Sequence, residues 1–256
     1  MEIAAQLLIY TSILGFILGF VVTKTNFCTM GAVSDWVNIG DLSRFKAWML
    51  AAAVAILGVT ILDFMSFFDI NDSRIPYRNS VLAWPRYMLG GLMFGVGMTY
   101  ASGCGNKVLI RVGGGNLKSL IVLFVAGLMA YIMTRTDFYG IVFHSWMNPI
   151  SLDLAKIGIL DQSLPTIVSS VFSITNSVYF NFTIGLTVSL TMIFLIFKSG
   201  KFIENFDNVL SGIVVGSIVV FAWLLTGGST GAEWIEANDF LDDPAPGVGV
   251  QSFTFI

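Results

Sequence analysis

Thr25-Asn26-Phe27-Cys28-Thr29-Met30-Gly31 and Ala101-Ser102-Gly103-Cys104-Gly105-Asn106-Lys107 decide how this chain is read. Each stands where a long apolar run gives way to polar and helix-breaking residues. The runs before them, 6–22 and 81–101, are long enough to cross roughly 30 Å of hydrocarbon. Irregular backbone at that depth leaves N–H and C=O groups that lipid cannot satisfy. It survives only against protein or a polar cavity. Two such breaks, each built around a cysteine, predict a lined cavity inside a membrane protein.

Composition agrees. Of 256 residues, 55% are hydrophobic and only 11% charged, with a mean hydropathy of +0.82. Soluble domains carry about 25% charged residues, and a chain this poor in charge cannot cover its own surface. The expectation is an all-α polytopic membrane protein, one membrane domain over 1–256. About six spans are predicted, at 6–22, 47–68, 81–101, 117–134, 178–197 and 209–226. The short apolar segment 167–175 reads as a re-entrant or interfacial helix. The first run has no basic flank and no small-residue cleavage site, so it reads as a membrane helix rather than a removable signal.

Other classes fall away. Lys and Arg are scattered, which excludes a nucleic-acid surface. His144 is the only histidine and there is no C-x-x-C pair, so no zinc site is expected. Gly113-Gly114-Gly115 lacks the following Lys-Ser/Thr of a phosphate loop and reads as a turn; no cofactor is expected. In the six-span arrangement Lys24, Arg44, Lys46, Lys107, Arg111, Lys118, Lys198 and Lys201 share one side. The positive-inside rule puts that side, and both cysteine loops, in the cytoplasm. The segment 135–256 holds further helices and ends in an acidic tail, free of Lys and Arg, with Glu233, Glu236, Asp239, Asp242 and Asp243.

The two cysteine segments are also related. A shift of 76 places Gly15-Phe16-Ile17-Leu18-Gly19 on Gly91-Leu92-Met93-Phe94-Gly95, Cys28 on Cys104 and Ser43 on Ser119. Repeat units of about 6–68 and 81–134 follow, each an apolar helix, a cysteine loop, a short polar stretch and a second apolar helix. Transporters often use such repeats, with broken helices meeting near the midplane. Gly15, Gly19, Gly90, Gly91, Gly95 and Gly97 are expected to let helices approach closely.

The loops carry the chemistry. Gly103 and Gly105 let backbone N–H groups approach a ligand. A helix restarting at Asn106 points its positive end at the cavity, which suits an anion. Lys107 and Arg111 add attraction, and Asn26, Thr29, Ser102 and Asn106 add polar groups. A thiol is a weak donor and a soft, polarizable group, suited to a sulfur-bearing anion. A thiolate would repel that anion, so passage calls for neutral thiols. Plainer readings stand beside these: the cysteines as small packing residues, Lys107 and Arg111 as cytoplasmic anchors, His144 near Trp146 as an interfacial residue, and Asp63 as the end of its span.

Residues 25–36, then Gly90-Gly91-Leu92-Met93-Phe94-Gly95, then 101–120, resemble the YeeE/YedE family of sulfur-compound transporters. The likeness covers most of residues 15–130 and is looser beyond. It implies inward passage of thiosulfate or a related sulfur anion across the bacterial inner membrane. It also implies an hourglass-shaped helical fold, with Cys28 and Cys104 at the constriction. The family's usual second half, with another Gly-Cys motif, has no counterpart here. The expected partners therefore include a second membrane half or a second copy of the chain, besides the lipid bilayer and a small soluble sulfur-carrier protein. Two other classes remain open on the residues alone: a membrane thiol–disulfide relay enzyme, and a non-catalytic scaffold subunit whose cysteines merely pack.

Overall fold

The computed structural model describes residues 2–73, 79–198, 200–238 and 249–252. Helices α1 (Glu2–Thr25), α2 (Thr29–Ile39) and α3 (Ser43–Phe64) form the first cysteine unit. Helices α4 (Trp84–Tyr100), α5 (Gly105–Gly113) and α6 (Leu117–Arg135) form the second. Short helices α7 (Ser145–Ile150) and α8 (Leu164–Phe172) lead to the long α9 (Val178–Phe197). After them come α10 (Gly200–Ile203), α11 (Phe206–Gly227) and α12 (Ser229–Asn238). Two-residue strands β1 (Val81–Leu82) and β2 (Leu152–Asp153) pair antiparallel and tie the foot of α4 to the segment after α7.

The chain is an all-α polytopic membrane protein. Among the described residues, five stretches are long and apolar enough to cross a membrane: 3–39, Ser43–Phe64, Leu117–Arg135, Val178–Phe197 and Phe206–Gly227. The sixth expected span is α4, a helix of 17 residues, about 25 Å long at 1.5 Å per residue. It is shorter than read from the sequence because Val81 and Leu82 leave the helix for the β1 strand, and Pro85 sits in its first turn. The third helix begins earlier and ends earlier than 47–68, because Ser66 takes a positive φ of 58° and turns the chain. The short apolar segment folds as α8, capped by Ser163, whose side chain accepts from the Thr166 N–H. Of the acidic tail, Glu233 and Glu236 lie in α12, while Asp239, Asp242 and Asp243 lie outside the described residues.

α3 lies between α9 and α11, and α1 packs against α11. Small residues set the closeness. Gly212 of α11 faces the Ala47 carbonyl and Leu50, and Gly216 faces the Ala51 carbonyl and Val54. Gly58 meets Val220, and Gly185 of α9 meets Thr60. With lipid tails as apolar as the helices, such close backbone packing is what holds a bundle together. The six glycines singled out from the sequence do not do this: around Gly15, Gly19, Gly90, Gly91, Gly95 and Gly97 there is open space. Their helix faces point away from this chain's own bundle, and spacing alone does not say which face of a helix is inward.

A buried cluster of Ala47, Leu50, Ile196 and Phe202 sits at one end of the bundle. Phe27, next to Cys28, packs against it. The first cysteine loop is thus pinned to the most deeply buried part of the molecule.

Candidate functional site

Both cysteine loops are built the same way. α1 ends with Asn26 in the left-handed region at φ 52°, and α4 is followed by Ser102 at φ 56°. Each closes its helix with a six-to-one bond, from the Phe27 N–H to the Val22 carbonyl (3.2 Å) and from the Gly103 N–H to the Met98 carbonyl (3.0 Å). This is the Schellman way of ending a helix, with a non-glycine residue at the left-handed position. The cysteine then stands extended as the N-cap of the next short helix. Its carbonyl accepts from the first available turn, Ala32 N–H at 2.9 Å and Val108 N–H at 3.0 Å. Every pair of matching positions is 76 residues apart.

The two loops meet. Cys28 Sγ lies 3.4 Å from Cys104 Sγ, and both residues are buried with free thiols. Two arginines fix the loops. Arg44 donates from Nη2 to the Asn26 carbonyl at 2.6 Å and from Nη1 to Asp35 Oδ2 at 3.0 Å. Arg111 donates to the Ser102 carbonyl at 2.8 Å. In each loop a guanidinium therefore holds the carbonyl of the left-handed residue. A cross-loop link completes the set: Lys107 Nζ donates to Asn26 Oδ1 at 3.0 Å.

The remaining expected site residues fall around this centre. Thr29 and Gly105 open α2 and α5 directly after the cysteines. The second short helix thus begins one residue earlier than Asn106. Gly103 is buried with the Lys107 side chain over it, and a methyl there would lie 2.9 Å from Lys107 Cβ. Asn106 sits in the first turn of α5. Arg44 and Asp35 escaped the sequence reading as site residues, since Arg44 counted only as a loop charge. Gly31 makes room for the guanidinium: a side chain at this position would lie 2.8 Å from Arg44 Nη1. Behind Cys28 a narrow crevice, with no room for a water molecule, is lined by Asn26, Cys28, Arg44, Trp48, Asn208 and Ser211 among others. Asn208 and Ser211 belong to α11, far from the cysteine motifs in sequence. Among the described residues no three His, Cys, Asp or Glu groups gather to hold a metal.

The sequence profile of the sulphur transport family matches residues 24–250, which take in both cysteine loops and the helices that pack against them. The chain belongs to the sulphur transport family. It is similar to the thiosulfate transporter TsuA of Escherichia coli (strain K12), 31% identical over 129 residues, which is 50% of this chain and 35% of that protein. It is also similar to the thiosulfate transporter TsuA of Spirochaeta thermophila, 27% identical over 125 residues, 48% of this chain and 36% of that protein. The matched stretch thus spans about a third of the length of these relatives.

Proposed function

We propose that this chain carries a sulfur-containing anion, thiosulfate first among them, inward across the bacterial inner membrane through a constriction lined by Cys28 and Cys104. It acts as a transporter, not an enzyme. The observation that supports this reading best is the meeting of two buried thiols just past the ends of the apolar helices α1 and α4. Beside them lie an ammonium, Lys107, and an amide, Asn26, already joined to each other. Thiosulfate has one soft terminal sulfur and three oxygens. Neutral thiols suit the sulfur, while charged and amide donors suit the oxygens. A few soft contacts also let the anion leave, which transport requires.

The loops stand closed. With the sulfurs in contact there is no space for an anion between them, so passage requires Cys28 and Cys104 to part. Lys107 is then the latch: its bond to Asn26 ties the loops across the gap, and an arriving anion competes for the same ammonium. The two repeat units act as the two sides of one gate. A second copy of the chain completes the path, and a soluble sulfur carrier receives the anion.

The test is growth on thiosulfate as sole sulfur source in cells without their own uptake. The chain should restore growth, and Cys104→Ala should abolish it. Undiminished growth with Cys104→Ala would sink the thiol role. The contact between sulfurs gives a membrane thiol–disulfide relay a specific basis as a second reading. Trapping the protein from growing cells with a thiol label separates the two: a relay passes through an oxidised pair, whereas a transporter yields both cysteines as free thiols throughout.

A further inference from the structure

Asn208 lies in the first turn of α11, where the side chain of Asn205 caps the helix by accepting from the Asn208 N–H. The residue is 5% exposed. Its Nδ2 group is buried and has no acceptor. It lines the crevice behind Cys28. Three other polar side chains there are spent. Arg44 is taken by Asp35 and the Asn26 carbonyl. Ser211 donates to the carbonyl of Asn208 itself at 3.0 Å, and Thr25 donates to the Val21 carbonyl. Among the described residues lining the crevice, Asn208 Nδ2 is the one buried side-chain polar atom left without a partner. Native proteins pair nearly all such groups, and this crevice has no room for a water to do it.

A donor held in that state lacks an acceptor that arrives from outside. We propose that, once Cys104 moves off Cys28 and the crevice opens past the Cys28 side chain, Asn208 is a third contact for the transported anion, donating from Nδ2 to an oxygen while the thiols meet the sulfur. This deepens the transport reading above and rests on it. The division of labour gives selectivity. An anion with sulfonate-type oxygens gains from Asn208, whereas hydrosulfide, which has no oxygen, gains nothing.

The experiment uses the purified full chain and cells expressing it. Asn208→Leu keeps the size and removes the donor; Asn208→Asp keeps the shape and turns the donor into an acceptor. A hydrogen bond to a charged ligand is worth about 10- to 100-fold in affinity. Asn208→Leu should therefore raise KM for thiosulfate by about that factor with little change in maximal rate, and Asn208→Asp should do worse. Thermal unfolding supplies a readout besides transport. Sodium thiosulfate, against sodium sulfate at equal ionic strength, should raise the midpoint of the wild type and not of Asn208→Leu. The unliganded midpoint of Asn208→Leu should stay level or rise, since an orphaned donor is gone. A side chain that only packs would lower the unliganded midpoint and leave the thiosulfate response intact, and that result overturns the proposal. A wild type that neither transports nor responds to thiosulfate overturns the transport reading and this one together. If Asn208→Leu does not accumulate, Asn208→Ser is read by the same two criteria.

Discussion

Mild oxidation should join Cys28 to Cys104 within the chain. The sulfurs stand 3.4 Å apart, and a disulfide needs about 2.05 Å, so a shift of about 1.4 Å suffices. The bond would close a loop spanning 76 residues. On the chain-entropy account, a loop of that size stabilises the folded state by about 4.5 kcal/mol, which moves the unfolding midpoint up by something on the order of 10 °C. The assay is diamide treatment of membranes, followed by denaturation and labelling with a polyethylene-glycol maleimide. Labelled bands should vanish with oxidant and return with dithiothreitol. Uptake should stop and recover in parallel, because a bonded pair cannot part. Thiosulfate added first should slow the reaction by holding the sulfurs away from each other. If both cysteines label equally before and after diamide, the sulfurs do not meet and the closed gate described here is wrong.

Lys107→Met should break the cross-loop link to Asn26. Since that pair is solvent-exposed, stability should hardly change, while the KM for thiosulfate rises several-fold and Lys107→Arg recovers most of it. Gly31→Ala places a methyl 2.8 Å from Arg44 Nη1, so it should push the guanidinium off Asp35 and the Asn26 carbonyl and cut uptake as deeply as Arg44→Met. Gly216→Val meets the Ala51 carbonyl at 2.6 Å, backbone that cannot yield, and should cost about 1–3 kcal/mol or more in detergent melts. Gly15→Val, with open space around it, is the control that should not.

The membrane class, the helical fold and the two cysteine loops were legible because their physics is local. An apolar run of about twenty residues and the polar, helix-breaking residues that end it are written in adjacent positions. What was not legible depends on which helix face turns inward. Gly15-x-x-x-Gly19 and Gly212-x-x-x-Gly216 have the same spacing, yet only the second touches another helix. Arg44 and Asn208 were missed for the same reason. Arg44 lies 18 residues after the carbonyl that it holds. Asn208 shares a crevice with Cys28 because α11 packs along α3. The extra turn into β1 was also hidden, since Val81 and Leu82 suit a strand and a span equally well.

The two loops share a backbone design but not an anchorage, and this decides which one moves. The first is held by Arg44, which comes from α3, and by Phe27 against the buried cluster of Ala47, Leu50, Ile196 and Phe202. The second is held by Arg111, which belongs to α5, the short helix that the loop itself starts. Around it α4 carries open glycines, and α6 packs chiefly on α5. A guanidinium from a neighbouring core helix fixes a loop in the frame of the bundle. One from the loop's own helix fixes only the loop's shape, so loop and helix move as a unit. Opening the gate should therefore displace 101–113 and leave 26–39 in place. Hydrogen exchange checks this directly: amides of 101–113 should exchange at least tenfold faster than those of 26–39, and thiosulfate should change the second unit's rates far more than the first's. Equal protection in the two units would refute the assignment, for then both loops would share one frame and Lys107 would have nothing to hold together.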